Sequence, residues 1–314
     1  MKRILITCPA MADFDAAPVV GFEIVFTMPP GGQFYTSQEL MEAGVAQFDA
    51  VVAGDDVFDE AVFAAAPRLK IVSKFGHGTD SIDKAAAERH GVAVTNTPGV
   101  FSSAVAEATL GYIIYLARLL GAEDAEVKAG RWSRRTGFDL EQVVVGVVGV
   151  GSIGQALARR AGALGIRLLG NDPVDPPRGF LRKTKMRMAA LEDLLGSSDV
   201  VTLHCDLNPT SRGLIGEREL GLMKEGSFLI NTARGPVVVE EALALALAGG
   251  RLAGAALDVF EREPLPADSP LRALDNVIFG AHGTFLTRDS VRRAGAWALR
   301  NAIEHLEKLG GDNE

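Results

Sequence analysis

The sequence has little cysteine, no excess of positive charge and no long unbroken apolar run, and each scarcity excludes a class of function. The two cysteines, Cys8 and Cys205, stand at the ends of two predicted strands and far apart in the chain. Such a pair forms neither a disulfide framework nor a zinc site and suits a reducing compartment, so a cytoplasmic protein without a metal centre is expected. Lys and Arg total 32 against 40 Asp and Glu, a formal net charge of -8. That balance offers no general attraction to nucleic acid or to an anionic membrane, and neither is expected as a partner. Any anionic ligand must be held by local groups. The apolar run after Met1-Lys2-Arg3 is too short for a signal sequence, and longer ones are interrupted by glycine or charge, so neither export nor membrane insertion is expected. No fixed-period repeat is present, and the end of the chain, Gly310-Gly311-Asp312-Asn313-Glu314, is too polar to be held firmly.

What the chain does have is apolar material, 47% of 314 residues, enough for two packed lobes. Short β-branched runs alternate with alanine-rich amphipathic stretches throughout, the pattern of βαβ units feeding parallel sheets, so the fold class is α/β. Strands are predicted at 3–7, 23–26, 50–53, 70–74 and 93–95, with a helix over 82–88. The breaker turn Asn96-Thr97-Pro98-Gly99 then precedes a long amphipathic stretch, 103–120, predicted as one helix running from the first lobe into the second. The second series opens at Val143-Val144-Val145-Gly146-Val147-Val148, the continuous run of a strand buried on both faces. Further strands are predicted at 167–169, 200–204, 227–230, 253–257 and 277–279. A last helix, 290–309, carries an apolar face of Val291, Ala294, Ala298 and Ile303, and is expected to pack on the first lobe. The predicted domains are therefore 1–101 plus 286–314, and 102–285.

Gly149-Val150-Gly151-Ser152-Ile153-Gly154 follows that buried strand directly and opens a helix predicted over 155–164. In this context the pattern binds a dinucleotide: Gly149 for the tight turn, Gly151 for approach of backbone to the pyrophosphate, Gly154 for close helix packing. Asp172 comes 18 residues after Gly154 at the next strand end, where a carboxylate accepts from ribose hydroxyls and repels a 2′-phosphate. The expected cofactor is NAD. Three further residues suit oxidation of a 2-hydroxy acid. Arg234, in Asn231-Thr232-Ala233-Arg234-Gly235, can grip a carboxylate with two parallel hydrogen bonds. His282, in Gly280-Ala281-His282-Gly283, exchanges a proton near neutrality. Glu263, in Asp258-Val259-Phe260-Glu261-Arg262-Glu263-Pro264, can orient that imidazole.

This order of motifs resembles the D-isomer-specific 2-hydroxyacid dehydrogenases over nearly the whole chain. Gly76-His77-Gly78-Thr79-Asp80-Ser81-Ile82-Asp83 is similar to that family's substrate loop, and Asn96 to Gly99 with Ala104-Val105-Ala106-Glu107 resembles its interdomain crossing. Lys128-Ala129-Gly130-Arg131-Trp132, Ser198 to His204 and Arg212-Gly213-Leu214-Ile215 match as well. The resemblance implies two parallel-sheet domains, Rossmann-like and flavodoxin-like, with an active-site cleft between them. It implies that Arg234 binds the substrate carboxylate, that His282 is the acid/base paired with Glu263, and that backbone groups of Gly76, His77 and Gly78 meet the carboxylate. It further implies that Ser152, Ile153, Asp172, Cys205, Thr232, Ala233, Arg234, Asp258 and His282 line the NAD site beside the three glycines, and that a homodimer forms through the NAD-binding domain.

The nearest branch by resemblance is phosphoglycerate dehydrogenase, with glyoxylate/hydroxypyruvate reductase beside it. The chain departs from the family's habit at His77, Phe101, Asp206 and Phe285, all around substrate or cofactor. Lys74 and His77 are candidates for reading a polar or anionic C3 substituent, while Phe101 and Phe285 would narrow the cleft or line an apolar subsite. An NAD-sensing interaction module like the C-terminal-binding-protein corepressors is the alternative, since those relatives keep the same three catalytic residues.

Overall fold

The computed structural model describes residues 1–14 and 18–311, and it divides into two compact units, Met1–Phe101 with Leu286–Glu314, and Ser102–Phe285. Residues 312–314 of the polar end lie outside the described residues.

The first unit is a five-stranded parallel sheet of β1 (Lys2–Ile6), β2 (Phe22–Phe26), β3 (Ala50–Ala53), β4 (Ile71–Lys74) and β5 (Ala93–Thr95), in the order β2-β1-β3-β4-β5. Every residue of β3 and β4 is buried, because helices cover both faces of a parallel sheet. The last helix, Arg288–Gly311, packs on these two strands. Ala294, Ala298 and Ala302 are fully buried, and their small side chains bring the helix close enough for Ser73 Oγ to donate to the Ala298 carbonyl at 2.8 Å. The helix predicted over 82–88 is shifted to Lys84–Arg89. Asp83 is its N-cap, accepting from the Ala86 amide at 2.9 Å, and Ile82 instead bridges to Phe58 as extended chain.

The second unit holds seven parallel strands: β6 (Val144–Val148), β7 (Arg167–Asn171), β8 (Arg187–Met188), β9 (Val200–Leu203), β10 (Ser227–Asn231), β11 (Leu252–Leu257) and β12 (Val277–Phe279). Their order is β12-β11-β10-β9-β6-β7-β8, so the sheet runs outward from β6 in both directions and the chain changes direction between β6 and β9. This is the Rossmann arrangement, whose ligands bind at the carboxyl ends of the strands around that switch point. The short β8 escaped prediction, since two residues carry no periodicity.

The helix predicted over 103–120 is two helices, Ser102–Ala117 and Leu120–Lys128, whose axes diverge by 62°. Leu119 adopts a left-handed conformation, φ 53°, at the break. All of Ser102–Ala117 belongs to the second unit, so the expected helix between lobes is corrected on both counts. Among the described residues no single helix is long and apolar enough to cross a membrane.

Candidate active site

Six of the seven strands of the second unit lead directly into candidate residues. Gly149 and Gly151 follow β6, Asp172 follows β7, Cys205 follows β9, Thr232 to Arg234 follow β10, Asp258 follows β11 and His282 follows β12. Because all the pairings are parallel, these ends share one edge of the sheet.

At the centre of that edge Gly149 takes φ 91°, and a Cβ there would lie 2.5 Å from the Cys205 amide nitrogen. A Cβ on Gly154 would lie 2.2 Å from the Gly149 carbonyl oxygen, which fixes how tightly the helix meets the turn. Gly151 differs, with nothing within 4 Å of an added Cβ. It is the N-cap of the helix Ser152–Ala163, and no side chain caps that terminus. The helix begins three residues before the predicted start, so Ser152 and Ile153 supply its first amides. Open space beside uncapped amides at the positive end of a helix fits a pyrophosphate. Asp172 is half-buried and aimed back at the turn, accepting from the Val150 amide at 2.7 Å and the Val174 amide at 2.8 Å. A carboxylate has about four lone-pair sites, so two remain for ribose hydroxyls. Cys205 is a neutral thiol, its pKa raised to about 11 by burial and by the charges of Asp206 and Asp172.

The catalytic candidates stand on three loops, Arg234 after β10, Glu263 after β11 and His282 after β12. The Nδ1 of His282 and the Oε2 of Glu263 are 2.7 Å apart, each side chain only 18% exposed, while Glu263 Oε1 accepts from the Phe260 amide at 2.9 Å. That contact assigns the Nδ1 proton to the carboxylate side. His282 itself has φ 53°, a left-handed backbone that costs about 1–3 kcal/mol for a residue other than glycine. Arg234 is half-buried, with Nη1 donating to the Ala233 carbonyl at 2.9 Å, and Asn231 braces the loop by accepting from the Ala233 amide at 3.0 Å and donating to the Arg234 carbonyl at 2.9 Å. Gly235 then packs straight onto the Glu263 loop: a Cβ there would fall 1.8 Å from the Phe260 carbonyl carbon. Glu240 and Glu261 strengthen this junction, each accepting from the other's backbone amide.

Two further buried groups support these loops, and of them His204 carries no signal in the sequence that assigns it a role. His204 is buried and neutral, its pKa pushed down to about 3 by desolvation. Its Nε2 meets Thr202 Oγ1 at 3.0 Å and its Nδ1 meets Thr232 Oγ1 at 3.4 Å, and Thr109 Oγ1 stands 3.3 Å from Thr232. A buried imidazole thus orients the Thr232 hydroxyl. Asp258, 1% exposed, directs its carboxylate to the Gly283 and Thr284 amides.

In the first unit the Gly76–Gly78 loop is stapled by the turn behind it. The Gly76 amide donates to Thr97 Oγ1 at 2.9 Å, and Asn96 Nδ2 donates to the His77 carbonyl at 2.7 Å. The Phe101 ring packs over Gly76 and lies 5.3 Å from Phe75, centroid to centroid. His77 is exposed, whereas Lys74 is 3% exposed and ion-paired with Asp55 at 2.9 Å. Lys74 is therefore corrected from a substituent reader to a loop support, because its charge is already matched inside the fold. Phe285 stands edge-on to His282, 6.2 Å between ring centroids. Among the described residues no group of three or more His, Cys, Asp or Glu side chains is placed to hold a metal ion.

The chain is similar to known proteins over most of its length. Residues 110–284 match the family model described as D-isomer specific 2-hydroxyacid dehydrogenase, NAD binding domain. A glyoxylate reductase of Thermofilum pendens is 40% identical over 261 residues, covering 80% of this chain and 76% of the relative. A D-3-phosphoglycerate dehydrogenase of Methanocaldococcus jannaschii is 37% identical over 262 residues, covering 83% of this chain and 50% of the relative. Among solved structures, D-lactate dehydrogenase from Aquifex aeolicus, complexed with NAD and lactic acid, superimposes with a TM-score of 0.83 at 26% identity, covering 99% of this chain and 98% of that one.

Proposed function

Because this chain belongs to the D-isomer specific 2-hydroxyacid dehydrogenase family, an NAD-dependent oxidoreductase of 2-hydroxy acids, we propose that Arg234, Glu263 and His282 are its catalytic residues. The observation that carries the proposal is the 2.7 Å contact between His282 and Glu263, reached by loops from two neighbouring strand ends. When bound, NAD supplies the hydride acceptor, or NADH the donor. The chain's own part is to hold the reacting acid and move its proton. The Arg234 guanidinium takes the carboxylate, and Gly76, His77 and Gly78 are the substrate-binding residues proposed in the first unit. His282 Nε2 exchanges the proton of the C2 oxygen, and Glu263 stabilises the imidazolium that forms in oxidation.

Residues 1–101 with 286–314 form the substrate domain in this reading, and 102–285 the NAD-binding domain. Gly149, Gly151, Ser152, Ile153 and Gly154 receive the pyrophosphate, while Asp172, Cys205, Thr232, Ala233 and Asp258 line the rest of the cofactor site. The substrate is a short 2-oxo acid of the glyoxylate or hydroxypyruvate kind, favoured over a phosphorylated one because Asp55 already neutralises Lys74. A panel of 2-oxo acids with NADH, followed at the nicotinamide absorbance, tests this. A higher kcat/KM for 3-phosphohydroxypyruvate than for hydroxypyruvate and glyoxylate would reverse the order, and no turnover on any of them would remove the proposal.

Two predictions arise from the same residues. The kcat/KM with NADH should exceed that with NADPH by about 10²-fold, since a 2′-phosphate near Asp172 sets like charges together in a partly desolvated pocket. Equal efficiencies would mean that Asp172 faces away from the ribose. Glu263→Gln should move the pH profile down: removing the carboxylate destabilises imidazolium, so 2-oxo acid reduction, which needs His282 protonated, fails at lower pH than in the wild type. An unmoved limb would separate Glu263 from the proton transfer.

Assembly and location complete the proposal. Tyr115, Leu120, Val127, Trp132 and Phe138 leave apolar surface exposed along one stretch of the second unit, with Trp132 82% exposed. A homodimer through the NAD-binding domain would cover it, in a cytoplasmic enzyme without nucleic-acid or membrane partners.

A further inference from the structure

We infer that Asp55 is a specificity-determining residue: by pairing with Lys74 at the foot of the Gly76–Gly78 loop, it turns the enzyme against 2-oxo acids with an anionic C3 substituent and toward those with a neutral one. This deepens the proposed substrate class and rests on that loop being the substrate loop.

The placement follows from the first sheet. β3 and β4 pair in parallel with Ala53 opposite Lys74, so the chain leaving β3 and the last residue of β4 come to the same edge. Gly54 and Asp55 follow β3 at once, and the next residue fixes their turn. The fully buried Asp56 carboxylate accepts from the Gly54 amide at 3.0 Å, the Tyr35 amide at 2.8 Å and the Thr7 hydroxyl at 2.5 Å. Asp55 then stands with Oδ1 2.9 Å from Lys74 Nζ, which also donates to the Phe75 carbonyl at 3.2 Å. The ammonium lies against the loop, since a Cβ on Gly76 would be 3.8 Å from it.

Two properties suit this pair to selection by charge. Stability does not call for it, because apolar residues of similar volume commonly replace a buried ion pair without loss. Its two ends also differ in access: the Lys74 side chain is 4% exposed and that of Asp55 24%, so the end that solvent reaches is the carboxylate. An ammonium alone at this point would draw a phosphate or a second carboxylate through charge-assisted hydrogen bonds. With Asp55 paired to it, an approaching anion meets a like charge, while a hydroxyl or a hydrogen at C3 has no charge to be repelled.

Asp55→Asn removes the negative charge while its carboxamide oxygen can still accept from Lys74, so the change is one of charge with the loop backbone kept. Asp55→Asn/Lys74→Met removes both charges. Each full-length variant is compared with the wild type for kcat and KM on hydroxypyruvate, 3-phosphohydroxypyruvate and oxaloacetate with NADH, the last two separating a phosphate ester from a carboxylate as the anion. The quantity read is the ratio of kcat/KM for each anionic acid to that for hydroxypyruvate, in which a general loss of activity cancels. Asp55→Asn should raise this ratio about tenfold or more, mainly through KM, because the charge-assisted bond gained is held equally in ground and transition states. A rise for one of the two anions upholds the inference and names the group that Lys74 reaches. The double variant should bring the ratio back to within about threefold of the wild type, since no ammonium remains for Asp55 to mask.

An unmoved ratio in Asp55→Asn would overturn the inference and leave the pair as a loop support alone. An equal rise in the double variant would overturn it too, by taking Lys74 out of the selection. A wild type that already prefers 3-phosphohydroxypyruvate, with the ratio higher still in Asp55→Asn, would uphold the role of Asp55 and instead refute the proposed substrate class, so the two failures are told apart.

Discussion

His282→Asn is expected to lower kcat by about 10²-fold or more while leaving the affinity for NADH within about twofold, the loss usual when a positioned proton donor is removed. Asparagine is the informative replacement for a structural reason. It tolerates the left-handed backbone that His282 adopts at φ 53°, whereas alanine would add strain to the chemical loss. The loop held by Asp258 should therefore keep its course, and an amide that cannot exchange a proton would stand where the imidazole was. Stopped-flow reduction of a 2-oxo acid by NADH measures the step directly. A variant that turns over at the wild-type rate would take His282 out of the proton path.

An effect of similar size is expected from one methyl group at Gly235. The added Cβ would fall 1.8 Å from the Phe260 carbonyl carbon and 2.4 Å from the Glu261 amide nitrogen, so backbone has to move. Neither neighbour is a flexible side-chain end. Overpacking of this kind typically costs about 1–3 kcal/mol, and the segment displaced is the one that carries Glu263. Gly235→Ala should lower both the melting temperature and kcat, the latter by about 10²-fold. Gly221→Ala is the control, since nothing lies within 4 Å of a Cβ there and both properties should hold. Wild-type kcat in Gly235→Ala would show that the two loops do not depend on their contact.

The parts of this molecule that were legible in sequence are those decided within a few residues of chain. The run Val144–Val148 could only be a strand covered on both faces, and the glycines after it could only be a turn into a helix. Arg234, Glu263 and His282 stood out through their flanks. What could not be read were pairings across long separations. Nothing near Lys74 in sequence says that Asp55 neutralises it, and nothing near Asp258 says that it gathers amides 25 and 26 residues further on. The break at Leu119 was hidden for another reason. The apolar spacing continues through it, and periodicity reports which side of a helix is buried, not whether its axis bends.

The stapled loop of the first unit has a consequence for changing what this enzyme accepts. The Gly76–Gly78 segment and the Asn96–Thr97 turn that fastens it lie about 20 residues apart in one unit, and Phe101 closes over the same spot. Point changes at His77 work against fixed mountings, so each alters one side chain while the backbone course stays inherited. Residues 74–101 form a cassette instead: transplanted from a relative in one piece, they would bring both the proposed substrate loop and its fastenings. Selectivity in this architecture should thus travel by exchange of whole blocks more readily than by single steps, because a loop moved without its turn arrives without the hydroxyl and carboxamide that shape it.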